Sequence, residues 1–102
     1  MTIRFFHSFE YPVSIQGIRP LDEQKHYADI IFRYPVSGKT VLDIGAWDGY
    51  FSFEAERRGA SRVLATDHFC WSGPGWGTKD GFDYIHQALG SKVESVDVDV
   101  VD

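Results

Sequence analysis

The chain predicts an α/β fold: half of a doubly wound parallel sheet, β-α-β-α-β over residues 37–102, behind a hairpin and helix over residues 1–36. Three observations predict it. Short apolar runs at Thr40–Ile44 and Arg62–Thr66 have strand length. Each is followed by a stretch with helical spacing, and that alternation requires parallel strands joined by right-handed crossovers. Glycines stand at the junctions, at Gly38, Gly45, Gly49, Gly59 and Gly90.

In chain order, Ile3–Tyr11 alternates, with Phe5, His7, Phe9 and Tyr11 on one side and Arg4, Ser8 and Glu10 on the other. The pattern predicts a strand stopped by Pro12, with Val13–Ile18 returning beside it and Gly17 ending the hairpin. Asp22–Arg33 reads as a helix whose apolar face is Tyr27, Ile30, Ile31 and Tyr34, ended by Pro35. After a turn at Ser37-Gly38-Lys39 comes the first sheet strand. Asp48 is placed to cap a helix running to about Arg58, because its carboxylate can accept from orphan backbone N–H groups. Arg57 and Arg58 suit that helix's negative end, and Gly59 its C′ position. His68–Gly77, rich in glycine and tryptophan, reads as a loop. Thr78 caps a helix with Phe82, Ile85 and Leu89 on one face, closed by Gly90. Val96, Val98 and Val100 alternate with Asp97 and Asp99, a strand with one wet face.

Composition limits the function classes. With 102 residues, 43% hydrophobic, the chain holds one small domain at most. A net charge of −5 without a lysine or arginine run argues against an electrostatic grip on nucleic acid. Cys70 is the sole cysteine, which excludes an internal disulfide and a thiolate metal cluster. No run approaches the roughly 20 apolar residues of a membrane span. These features predict a cytoplasmic protein without membrane contact or metal.

The chemistry gathers in "VLDIGAWDGYFSFEAERRGASRVLATD", Val41–Asp67. In an open parallel sheet, ligands bind beyond the carboxyl ends of the strands. Gly45 lets the backbone turn close to a ligand, and Gly49 lets the following helix approach the strand. Asp67 ends the second strand 22 residues after Gly45, where an acid can accept both hydroxyls of a ribose. A pyrophosphate calls for a small residue between the glycines and little negative charge nearby. Here Trp47 is bulky, and Asp43 and Asp48 flank the turn. A ligand with ribose, adenine and a cationic amino-acid tail fits better, and S-adenosylmethionine is such a ligand. Trp47 has two open readings: it shields the ligand's sulfonium by a cation–π contact, or it packs on the leader.

This stretch resembles the first glycine motif and the following acidic motif of class I S-adenosylmethionine-dependent methyltransferases. Their signature, acid-x-Gly-x-Gly-x-Gly, is matched by Asp43, Gly45 and Gly49, with Trp47 at the middle glycine. The turn is closest to a "GxxDG" subgroup that includes the carboxymethyl-transferring enzyme of tRNA wobble uridine and small-molecule methyltransferases. "FFHSFEYPVSIQGIRPLDEQ" and "KDGFDYIHQALGSKVESVDVDVVD" also look like that subgroup. The resemblance implies a Rossmann-like domain and a cofactor site at Asp43, Gly45, Ala46, Trp47, Gly49, Asp67, His68, Phe69 and Asp102. Asp43 would meet the ligand's amino group, Gly45 would pass beneath its tail and Asp67 would hold the ribose. His68 and Phe69 would flank the adenine, and Asp102 would approach its amino group. Complete domains of this kind are about twice as long, so the expectation is a cofactor-binding half without the acceptor site. The alternative is a non-catalytic S-adenosylmethionine or nucleoside-binding module. The strand order third-second-first would leave Thr40–Ile44 as an open apolar edge. Truncation, homodimer pairing through that edge, or cover by the leader hairpin each account for it. The acidic balance favours a small-molecule methyl acceptor over tRNA.

Overall fold

Three parallel strands and three helices form the protein in a computed structural model that describes residues 2–100. They run α1 (Leu21–Ile31), β1 (Thr40–Ile44), α2 (Tyr50–Arg57), β2 (Arg62–Asp67), α3 (Asp80–Leu89) and β3 (Glu94–Asp97). The sheet order is β1-β2-β3, with Leu42 opposite Leu64 and Ala65 opposite Ser95. β1 begins and ends where its apolar run does, because Gly38 and Gly45, both at positive φ, turn the chain at either end. Gly90, at φ 61°, closes α3 in the left-handed conformation expected of a helix-ending glycine.

One face of the sheet packs on α2, whose Phe53 and Ala55 meet Val63 and Ala65 of β2 in a core completed by Trp71, Phe82, Ile85 and Val93. The opposite face carries Leu42, Ile44 and Val96, all exposed. β1 is an edge strand, and among the described residues no segment pairs with its free side. The leader therefore does not cover that edge. No helix of the described residues is long and apolar enough to cross a membrane.

The leader departs from the predicted hairpin. It turns back on itself, but through a single antiparallel bridge, Phe9 with Ile15, in place of two strands. His7, Ser8 and Phe9 are buried in succession, which alternation forbids. The reason is that side chains replace the strand ladder. Gln24, fully buried in α1, accepts from Ser8 N–H at 2.8 Å and donates to Ser8 carbonyl at 2.9 Å. Asp48 accepts from Phe6 N–H and His7 N–H.

The same bonds correct the phase of α1. Its buried side is Gln24, Ala28 and Phe32, spaced i, i+4, i+8, while Tyr27, Ile30, Ile31 and Tyr34 face outward. Gln24→Ala would orphan both backbone groups of Ser8 and is expected to cost about 2–4 kcal/mol. Tyr34→Lys, at a residue 73% exposed, is expected to change stability by less than about 0.5 kcal/mol. Urea unfolding of the two variants checks the assignment; a larger loss from Tyr34→Lys would reverse the phase. At the far end, β3 stops at Asp97. Val98 extends the pairing only through its N–H to the Asp67 carbonyl, and Val100 lies outside the strand.

Candidate functional site

The turn between β1 and α2 keeps left-handed backbone at three alternate positions, Gly45 (φ 79°), Trp47 (φ 53°) and Gly49 (φ 89°). The tryptophan thus adopts the conformation that a middle glycine would supply. For a large side chain this conformation is strained, and such strain persists only where surrounding contacts enforce it. Here they do. Trp47 N–H donates to Asp67 Oδ2 at 3.0 Å, and its carbonyl accepts from Trp71 Nε1 at 2.6 Å. Its ring stacks on Phe6 with centroids 3.8 Å apart and planes 5° from parallel. The packing of Trp47 is against the leader.

Asp67 ties this turn to the next loop. One carboxylate oxygen accepts from Trp47 N–H and the other from Cys70 N–H, both at 3.0 Å. Each oxygen retains a lone pair for a further donor. Asp43, on the side of β1 facing α2, accepts from Ser52 Oγ at 2.6 Å. Burial pushes its carboxyl above the usual range, the Ser52 bond pulls it back, and the charge of Asp67 pushes it up again. Asp48 is not the predicted helix cap. Gly49 occupies that position, and the Asp48 carboxylate, almost fully buried, turns instead to the leader. Thr78 is likewise displaced from the predicted cap: Lys79 holds the N-cap position of α3, and Thr78, one residue earlier, accepts from Asp80 N–H at 3.0 Å.

Beyond the carboxyl ends of the strands lies an open groove of about 370 Å³. Gly45, Asp67, His68 and Phe69 line it together, with Ile44 and Thr66 below and Pro74, Val98, Asp99 and Val100 along the far wall. Beyond its chain neighbours, no atom lies within 4 Å of the point where a Cβ would stand on Gly45, so the backbone of this groove-lining residue is bare. Phe69 is 63% exposed, a large ring held in solvent. His68 Nδ1 stands 2.9 Å from Asp97 Oδ1, a contact that raises the imidazole's pKa above its ordinary value.

Of the predicted site residues, Asp43, Ala46, Trp47 and Gly49 shape the turn but do not line the groove, and Asp102 falls outside the described residues. Sequence reasoning missed Val98 and Val100. The alternation puts both in a strand, whereas β3 ends at Asp97 and leaves them beyond its carboxyl end. Cys70 is buried, and burial pushes its thiol up to about 11, so it is a poor nucleophile. Among the described residues, no cluster of histidine, cysteine, aspartate or glutamate has the form of a metal site. Comparison with known protein families and with curated proteins finds no match to this chain.

Proposed function

We infer that the groove is the cofactor site of an S-adenosylmethionine-dependent methyltransferase of Rossmann-like type, this chain forming the cofactor-binding half. The observation that carries the reading is the juxtaposition of the bare Gly45 backbone and the Asp67 carboxylate at the carboxyl ends of adjacent parallel strands. A groove of this volume suits a ligand of nucleoside size. Gly45 admits the amino-acid tail, Asp67 accepts from the ribose hydroxyls with its remaining lone pairs, and Phe69 and Val98 offer apolar surface to the adenine. Asp43 stands behind the turn, and its charge adds to that of Asp67, a field that favours a cationic tail and repels a pyrophosphate. When bound, the cofactor supplies an electrophilic methyl group. The protein's share is to hold the reacting partners in line. The acceptor this reading favours is a small molecule, and the setting the cytoplasm.

Calorimetric titration with S-adenosylmethionine, S-adenosylhomocysteine and NAD tests the proposal. Both adenosyl ligands are expected to bind and NAD to bind at least tenfold more weakly; the reverse order would overturn it. Affinity is expected to fall as the pH drops through the raised pKa of Asp43, since protonation removes the negative charge that favours the ammonium group. The free β1 edge, with Leu42 57% and Ile44 60% exposed, favours a second reading, a ligand-binding homodimer paired through β1. Sedimentation of the same samples decides it: a monomer at high concentration removes it.

A further inference from the structure

Three polar nitrogens are sealed in one aromatic cluster beside the glycine turn and find no hydrogen-bond partner among the described residues: His7 Nδ1, Trp47 Nε1 and Trp76 Nε1. Buried polar groups are paired in the great majority of cases, so three orphans side by side call for an explanation. Their rings are neighbours. Trp47 and Trp76 meet edge to face at 5.3 Å, and His7 lies 6.3 Å from Trp47. The cluster is closed by Trp76, carried on the segment that contains Gly73, Pro74, Gly75 and Gly77. Arg4 holds that segment to the leader, its guanidinium 4.2 Å over the Trp76 ring and within 3.4 Å of the Trp76 carbonyl.

We propose that this cluster is a binding subsite for an aromatic carboxylate, the acceptor side of the reaction, admitted when the Trp76 segment lifts. The chemistry of the orphans sets the ligand class. An indole N–H only donates, so Trp47 and Trp76 together present two donors that require acceptor oxygens. Cations stand at both ends of the stack, Arg4 over Trp76 and Arg19 5.1 Å over Phe6. Two carboxylates lie beside the cluster, and both are engaged: Asp48 spends its Oδ2 on the leader's backbone N–H groups, and Asp67 accepts from Trp47 N–H and Cys70 N–H. The side chains around the orphans are rings in mutual contact, Phe6 on Trp47 and Trp47 on Trp76, and the ring surface freed when Trp76 lifts favours a flat apolar body attached to the anion. Burial and the Arg19 charge hold His7 neutral, with a pKa of about 3, so its Nδ1 serves as a neutral hydrogen-bond partner at ordinary pH. Assigning the anion to the methyl acceptor rests on the cofactor reading of the adjacent groove; the subsite itself does not.

The three indole N–H resonances of the full chain provide the test, with benzoate, benzyl alcohol and benzylamine as probes. Benzoate is expected to move the Trp47 and Trp76 signals. Trp71, whose N–H already donates to the Trp47 carbonyl, is the internal reference. Trp76→Phe keeps an aromatic ring, though a smaller one, and removes the donor, and is expected to weaken benzoate about tenfold. Arg19→Gln is expected to weaken it with all rings in place. Absence of movement at 20 mM benzoate, equal movement with benzylamine, or unchanged affinity in both variants overturns the subsite. Indole movement in a chain that binds no S-adenosylhomocysteine leaves the subsite standing and removes the cofactor reading. Calorimetric binding of S-adenosylhomocysteine with unresponsive indoles does the opposite.

Discussion

Gly49→Ala is expected to lower stability by about 3–5 kcal/mol, while Gly45→Ala in the same turn costs about 1–2 kcal/mol. Both glycines have positive φ, so both substitutions carry the left-handed backbone penalty. They differ in what the new methyl group meets. At Gly45 nothing lies within 4 Å. At Gly49 a Cβ would stand 2.6 Å from ring carbons of both Phe53 and Phe82, which are 5% and 1% exposed and packed 5.1 Å apart between centroids. Neither ring can swing out to solvent, so α2 must move away from Phe82 of α3, and the Phe53 ring, on α2 itself, must leave its packed position. For a domain of this size the difference between the two variants corresponds to roughly 10–20 °C in Tm. Thermal unfolding followed by circular dichroism measures it. Midpoints for the two variants within a few degrees of each other would show that the packing around Gly49 is looser than the structure has it.

The sheet and its glycine turn were legible in the sequence because covalent geometry and burial both speak there. β1 is an apolar run between two glycines, and β2 an apolar run ended by an acid, and each reads to within a residue. Gly45 and Asp67 could be placed at the strand ends by topology, His68 and Phe69 only through the family resemblance, and all four line the groove. The leader was not legible, because polar side chains from elsewhere satisfy its backbone. Nothing in the pattern around Ser8 indicates that Gln24 pairs with it, or that Asp48 pairs with Phe6 and His7. The phase of α1 failed for the same reason: its most buried residue is a glutamine, and hydropathy assigns a glutamine to solvent. Trp47 was ambiguous because side-chain size argues against a glycine-like turn. Only the stack on Phe6 and the bonds from Trp47 to Asp67 and from Trp71 to Trp47 show why the backbone tolerates it.

Asp48 controls how the leader reaches the site, and a graded series should separate its charge from its geometry. Both leader N–H groups donate to the same oxygen, Oδ2, at 2.7 Å from Phe6 and 2.9 Å from His7. Burial pushes the carboxyl above the usual range, and the bonds from His7 and Phe6 pull it only part of the way back. The function of the side chain is therefore to supply one well-placed oxygen, and its negative charge is an expense of burial. Asp48→Asn keeps an oxygen there and is expected to cost at most about 1 kcal/mol. Asp48→Ala orphans two buried donors and is expected to cost about 2–4 kcal/mol. Tryptophan fluorescence should also change in the alanine variant as Phe6 leaves the face of Trp47. The other oxygen, Oδ1, lies against α3, where a Cβ on Gly81 would come within 2.4 Å of it. Gly81→Ala must then displace the Asp48 carboxylate and slacken the leader in turn. Its penalty should shrink by about 1–3 kcal/mol in the Asp48→Ala background, where the clashing oxygen is gone. Additive penalties in that double-mutant cycle, or equal losses from the asparagine and alanine variants, would mean that the Asp48 bonds do not hold the leader in place. A coupling of the expected sign ties α3, the glycine turn and the leader into one clamp. In that case a change at Gly81, away from the groove, should alter the environment of Trp47 at its rim.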